Sequence, residues 1–486
     1  MNTNISKLAP KNVWENFQAI CEIPHPSKHE EKIRKFMVDF CKKNGLGVKV
    51  DKIGNVIVSK PATKGMENRQ SVILQAHLDM VPQKNSDKKH DFTKDPIVAY
   101  VDGDWVTADG TTLGADNGMG VAAAMAVLAS KNIAHGPIEA LLTIDEETGM
   151  TGAFGLEKGV LKGDILLNLD SETEGELYVG CAGGLDASIK LNYKTQARSA
   201  DVTAFELAIK GLKGGHSGMD IILGRANANK LLFRLLKVLV KKCGVEVATI
   251  NGGSLRNAIP REAFALITVP STKLSSMEKH IQAFFAETKA ELALVEPEYK
   301  VNTTSAKLPK EVMTKSSITK LINLIYGLPN GVIRMSDSIH GLVETSTNMA
   351  IVKADKGVAE ISCLLRSSVD SAKADLVEAM DSVIRLAGAK GEFTGGYPGW
   401  KPNPSSPILK TMQATYKTLY KTTPKITAIH AGLECGLLGG VYPNLDMISF
   451  GPTISSPHSP DEKVNIASVQ KFWDFLVATL AAVPKK

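Results

Sequence analysis

The sequence predicts an α/β fold: a mixed, largely parallel sheet sandwiched by helices, with an α+β domain inserted into it. Three observations predict this. Apolar runs of strand length at residues 138–144 and 165–169 each end in acid, Asp145-Glu146-Glu147 after the first and Asp170 after the second. Segments with apolar residues at helical spacing accompany such runs, as sheet-covering helices do. Finally, the texture changes near Leu185, stays different to about Gly395, and then returns. The domains expected are 1–185, 186–395 and 396–486, the outer two forming one domain around the inserted one.

Taken in order, Val13, Phe17 and Ile20 mark a first helix, and Ile33, Phe36, Met37 and Phe40 a second. Residues 48–58 read as strand material broken by a turn at Gly54-Asn55. Residues 71–80, SVILQAHLDM, form the next apolar strand. His77 and Asp79 stand two apart near its end, so an extended backbone puts them on one side. A hairpin follows near residues 101–107. Gly114 to Gly120 then leads into VAAAMAVLAS, a small-residue helix suited to close packing.

Residues 180–184 are glycine-rich and read as a hinge. The middle region alternates strand-like runs (204–209, 263–269, 358–364) with helices (226–240, 277–292). LKGGHSG puts His216 in a glycine-flexible loop, and Arg366 follows an apolar run. Residues 396–399 read as a linker. A helix (407–419), a glycine-bounded loop (429–436), a strand (446–450) and a closing helix (465–483) complete the chain, with His458 beyond the last strand.

Composition excludes several classes. Of 486 residues, 43% are hydrophobic and 22% charged, as in a globular protein. A net charge of +6 spread along the chain, with no basic block, argues against nucleic acid binding. No apolar run reaches membrane-span length, and no secretory signal is visible. Six dispersed cysteines without a CxxC pair point to buried thiols in a reducing cytoplasm.

In an open α/β sheet, ligands sit beyond the carboxyl ends of the strands. The residues collected there are His77, Asp116, Glu146, Glu147, Asp170 and His458. Each has a plainer reading. First-turn acids cap helices, and a lone His-x-Asp is more often a satisfied core pair. Gly118-x-Gly120-x-x-Ala123 formally matches a dinucleotide fingerprint, but no strand runs into its first glycine. Together, two imidazoles and several carboxylates without cysteine fit zinc or a similar divalent ion. They are too many for one tetrahedral ion, whereas two ions bridged by one carboxylate would use them.

The motifs resemble the co-catalytic zinc exopeptidase superfamily and, within it, the bacterial aminoacyl-histidine dipeptidases. The resemblance rests on HLDMVPQKN (77–85), GTTLGADNGMG (110–120), DEETGMTGAFGL (145–156), LNLDSE (167–172), GGHSG (214–218), GLVETSTN (341–348), HAGLECG (430–436) and His458. It implies two divalent ions, Zn2+ first and Mn2+ or Co2+ as alternatives. Asp116 would bridge them, with His77 and Asp170 on one and Glu147 and His458 on the other. It also implies a cis Asp116–Asn117 peptide. Glu146 would be the general base, taking the proton of a water held between the ions so that hydroxide attacks, and Asp79 would orient His77. His216 and Arg366, from a lid-like second domain, would contact the substrate carbonyl and carboxylate; Asn257 and Glu434 are further substrate contacts.

The implied activity is hydrolysis of small Xaa-His dipeptides, carnosine among them, by a cytoplasmic enzyme, and a homodimer is compatible with it. Three other readings stand beside it: an N-acyl amino acid deacylase using the same centre, a non-catalytic binding relative, and a nucleotide-dependent oxidoreductase resting on Gly118-Met119-Gly120 alone.

Overall fold

The computed structural model describes residues 4–486, which divide into two compact units. The first comprises residues 4–180, 402–428 and 433–486; the second comprises residues 181–401 and 429–432.

The first unit is built on an eight-stranded sheet. Its order is Gly47–Val50, Val56–Lys60, Ile138–Thr143, Val72–His77, Ile165–Asn168, Asp446–Ser449, Glu176–Cys181, Lys425–Ile429. The four strands at its centre run parallel. Antiparallel partners flank them on both sides. The central strands are apolar without alternation, and Val72–His77 is buried at every position, as a strand covered on both faces must be. Their carboxyl ends therefore open at one edge, where the next residues are His77 to Asp79, Asp145 to Glu147, Asp170, and the connection to His458.

Helix Ala115–Ala129 packs against Val72–His77 and is buried on almost every face, which its alanines and glycines permit. A Cβ at Gly118 would come within 2.9 Å of the Phe17 ring, and one at Gly120 within 2.6 Å of the Leu169 carbonyl oxygen. These glycines serve close packing rather than a dinucleotide. Helices Lys11–Cys21, Glu31–Lys43, Pro407–Tyr420 and Ile466–Ala482 complete this unit. A smaller four-stranded sheet joins Ala99–Asp102, Trp105–Ala108, Lys463–Asn465 and Ile454–Ser455.

The second unit centres on a nine-stranded sheet whose pairings are antiparallel. Its main covering helix, Ala228–Cys243, is capped by Asn227, whose side chain accepts from the Lys230 N–H at 3.2 Å. The helix buries Leu232, Phe233, Leu235, Leu236 and Leu239 against Leu207, Ile250, Ile267 and Ile361. Residues 180–184 end strand Glu176–Cys181 and begin strand Gly183–Asn192, and the division between the two units falls among them, between Gly180 and Cys181. A Cβ at Gly183 would meet the Tyr397 carbonyl oxygen at 2.4 Å, so close backbone approach explains a glycine there. Residues 396–399 are not a free linker, because strand Lys390–Tyr397 runs into them. The segment 429–436 is only half a loop, since a helix starts at Glu434.

All six cysteines are buried. Among the described residues no helix is long and apolar enough to cross a membrane.

Candidate metal centre

In the first unit the strand exits bring the expected side chains together. His77 Nε2 lies 3.2 Å from Asp116 Oδ1 and 3.3 Å from Asp170 Oδ1. His458 Nε2 lies 3.0 Å from Asp116 Oδ2 and 3.0 Å from Glu147 Oε2. Asp116 thus turns one oxygen to each imidazole and belongs to both sets. His77/Asp116/Asp170 and Asp116/Glu147/His458 each place their ligand atoms within 4.8 Å of one another, as do His77, Glu146 and Glu147.

Local structure sets these positions. His77 ends its strand, and its Nδ1 faces Asp79 Oδ1 at 3.3 Å. Asp79 is buried and accepts from Ser27 Oγ at 2.8 Å and from the Glu146 and Glu147 N–H groups at 3.0 and 3.3 Å. One carboxylate therefore orients the imidazole and caps the short helix Glu146–Gly149. Buried Glu30 adds a brace, its Oε1 accepting from the Asp145 N–H at 3.2 Å. Asp116 stands at the start of helix Ala115–Ala129, and its peptide bond to Asn117 is cis. His458 adopts φ 60°, a left-handed backbone that costs a non-glycine residue about 1–2 kcal/mol and is held by its surroundings.

The electrostatics are those of crowded carboxylates. Burial, reinforced by Asp170, Glu147 and Glu434 against the pull of His77, raises the Glu146 carboxyl well above its ordinary range. Burial pushes Asp170 up to about 6, and pushes Glu172, with Asp116 and Asp170 nearby, up to about 8. Burial also opposes ionisation of Asp116, but hydrogen bonds from His458 and His77 outweigh it and hold this carboxyl far below the usual range. Hydrogen bonds to Asp116 and Glu147 raise His458 to about 11.

The donor set fits divalent ions. Two imidazoles and three carboxylates with no thiolate suit zinc and its neighbours. Glu147 Oε1 is buried without a hydrogen-bond partner, and Asp170 Oδ1 has only the long approach of His77 Nε2 at 3.3 Å, which is costly unless a cation or proton meets them.

Glu434 is fully buried in the same unit. Its Oε2 accepts from Thr143 Oγ1 at 2.6 Å and from Gln75 Nε2 at 2.5 Å, while Oε1 has no partner. Burial pushes this carboxyl up to about 8. Glu462, which the sequence did not single out, is buried and accepts four backbone N–H groups, from Leu113 to Asp116.

His216, Arg366 and Asn257 belong to the second unit. His216 forms a two-residue strand with Gly215, paired to Ala258–Ile259. Its Nδ1 accepts from the Gly218 and Met219 N–H groups at 3.2 and 3.0 Å, which leaves the proton on Nε2. Burial and the charge of Arg366 lower its pKa, so the ring is a neutral donor. Arg366 is buried within strand Val358–Ser367, with a single long contact of 3.5 Å to Tyr397 Oη and an unpartnered Nε. Among the described residues no carboxylate pairs with this buried guanidinium, which is costly for a buried charge. Asn257 is exposed, and its carbonyl accepts from the Ser217 N–H at 2.8 Å. His430, which the sequence marked only as part of a motif, is buried here with Nε2 2.7 Å from Ser346 Oγ.

Comparison with known proteins gives concordant results. Residues 73–482 match the family described as Peptidase family M20/M25/M40. The cytosol non-specific dipeptidase of Escherichia coli (strain K12) is 50% identical over 484 residues, covering 100% of both chains. The crystal structure of aminoacylhistidine dipeptidase from Vibrio alginolyticus superposes with a TM-score of 0.94 at 50% identity, covering 99% of each chain. Aminopeptidase PepT from Bacillus cereus, at 17% identity and a TM-score of 0.63 over 98% of this chain and 99% of its own, shares the fold.

Proposed function

The chain belongs to peptidase family M20/M25/M40, and from that premise we propose that it is a metal-dependent dipeptidase acting on Xaa-His dipeptides, carnosine-like ones included. The observation that carries this reading is the sharing of Asp116 between two imidazole–carboxylate sets. The dipeptidase relatives, 50% identical over full length, support the substrate size. The Escherichia coli relative is named for the cytosol, and we assign this chain to the same compartment.

In this reading His77 and Asp170 would hold one divalent ion and Glu147 and His458 a second, with Asp116 a ligand common to both sets; Zn2+ is the first choice, with Mn2+ or Co2+ as alternatives. When bound, such a pair polarises a carbonyl and acidifies water. Glu146 takes the proton from the attacking water and delivers it to the leaving amine nitrogen, forming the free amino group of the departing residue. Its crowded surroundings favour holding that proton between the two steps. Asp79 keeps the His77 ring in register through Nδ1. His216 donates from Nε2 to the oxyanion that develops on the carbonyl oxygen, a role its fixed neutral tautomer suits. Arg366 binds the substrate's free carboxylate, which selects short peptides. Asn257 and Glu434 are secondary contacts in the same scheme.

Metal analysis combined with a substrate panel tests this. About two ions per chain, with chelator-sensitive cleavage of β-Ala-His and Gly-His, are expected for such a two-ion centre. Cleavage of N-acetylornithine alone would move the protein to deacylase chemistry. Neither metal nor cleavage would leave a peptide-binding relative.

A further inference from the structure

Glu462 is a carboxylate in an unusual setting. It is 2% exposed, and its hydrogen bonds come from backbone. Oε2 accepts from the Leu113 and Gly114 N–H groups at 2.8 and 3.0 Å. Oε1 accepts from Ala115 and Asp116 at 2.8 and 3.2 Å. Four consecutive amides converge because Gly114 turns left-handed, with φ 72°. Such a run of amides is an anion-binding concavity, and here the chain's own carboxylate fills it. The fourth amide is that of Asp116 itself.

The same short connection, residues 456–462, also carries His458, whose Nε2 meets Asp116 Oδ2 at 3.0 Å. One connection thus grips Asp116 at two points, by its carboxylate and by its backbone. The grip is anchored at its base. Thr107 Oγ1 donates to the Glu462 carbonyl at 2.7 Å, and Lys463 pairs with Thr107 in the small sheet.

We propose that Glu462 is the positioning residue of the bridging ligand: by holding the 113–116 backbone it aims Asp116 at both imidazole–carboxylate sets and so sets the ion affinity of the centre. The inference rests on the two-ion reading of that site. Glu462 touches no substrate and transfers no proton. The need is for a carboxylate: Glu462→Gln keeps the shape but turns an NH2 donor toward two N–H donors.

The test is ion affinity of the full-length protein, measured by competition between the metal-stripped chain and a chromophoric chelator. Visible spectra of the cobalt-loaded protein and thermal midpoints of the stripped protein accompany it. E462Q should bind zinc about 10- to 100-fold more weakly than the parent and show an altered cobalt spectrum, the range for an outer-shell partner of a metal site. E462D, which keeps the charge with shorter reach, should recover part of that loss, and it carries the comparison should E462Q not fold. Leu480→Ala, a core change in helix Ile466–Ala482, should lower the thermal midpoint while leaving affinity within about twofold of the parent, as expected for an uncoupled site. E462Q affinity equal to the parent's would overturn the proposal, and so would an equal loss in Leu480→Ala. A parent that takes up no metal would remove the two-ion reading and this inference with it.

Discussion

Glu146 and Glu147 are neighbours in sequence with different surroundings. Glu147 faces His458 and Asp116, whereas Glu146 accompanies His77 in a carboxylate-rich pocket that resists its ionisation. Glu146→Ala should therefore lower kcat by about two to four orders of magnitude, the usual contribution of general acid–base catalysis. Metal content measured on the same sample should stay at the parent's level, and loss of metal would remove the base assignment. Arg366→Ala should act on binding instead. Losing a charge-assisted contact worth about 1.5–3 kcal/mol raises KM for dipeptides by about 10- to 150-fold; amidated dipeptides, which lack the carboxylate, should not discriminate the variant from the parent. The clustered imidazoles and carboxylates were legible in the sequence: His77, Glu146, Glu147 and Asp170 follow apolar runs, Asp116 sits among glycines, and His458 lies a short way beyond the last strand. Glu462 was not: its partners are backbone amides up to 349 residues earlier, and a backbone amide leaves no mark in sequence.

Elements place these residues, and their own constraints are testable. In helix Ala115–Ala129, Gly120→Ala would press a methyl against the Leu169 carbonyl and the Asn117 side chain. Calorimetry should show the first unit destabilised by about 1–3 kcal/mol, as overpacking does. The segment 429–432 makes a different demand on the second unit. Burial, with Arg366 and His216 nearby, lowers His430 to about 3. The unfolded chain binds a proton near its ordinary 6.5 that the folded chain refuses. Stability from this group is therefore complete above about pH 6.5 and is lost as pH falls toward about 3, by at most about 1.4 kcal/mol per pH unit. Denaturant titrations from pH 7 to 4 should show that slope, and His430→Gln should flatten it. The strands and helices themselves were largely readable from apolar periodicity. Glycine was harder to read: the sequence does not show that the Tyr397 carbonyl presses on Gly183.

At the scale of the molecule, the centre joins distant parts of the first unit, so ions bound to it should stabilise that unit. At free metal about 1,000-fold above the dissociation constant the gain is about 4 kcal/mol. Chelation should lower the calorimetric transition of the first unit together with activity. A transition unmoved by chelator would mean that the acidic cluster is satisfied by protons alone. The central sheet has a further consequence. Strand Asp446–Ser449 lies between Ile165–Asn168 and Glu176–Cys181, yet leaves the ribosome 278 residues after Asn168. At ordinary synthesis rates of about 5–20 residues per second, that is roughly 15–55 s. Residues 181–401 emerge in that interval as one continuous stretch, able to fold first. The sheet that carries the acidic exits waits for its missing centre strand, and His458 follows only nine residues behind Ser449. During synthesis the nascent chain thus holds an open sheet edge in need of protection, and hydrolytic competence cannot arrive before His458 has emerged.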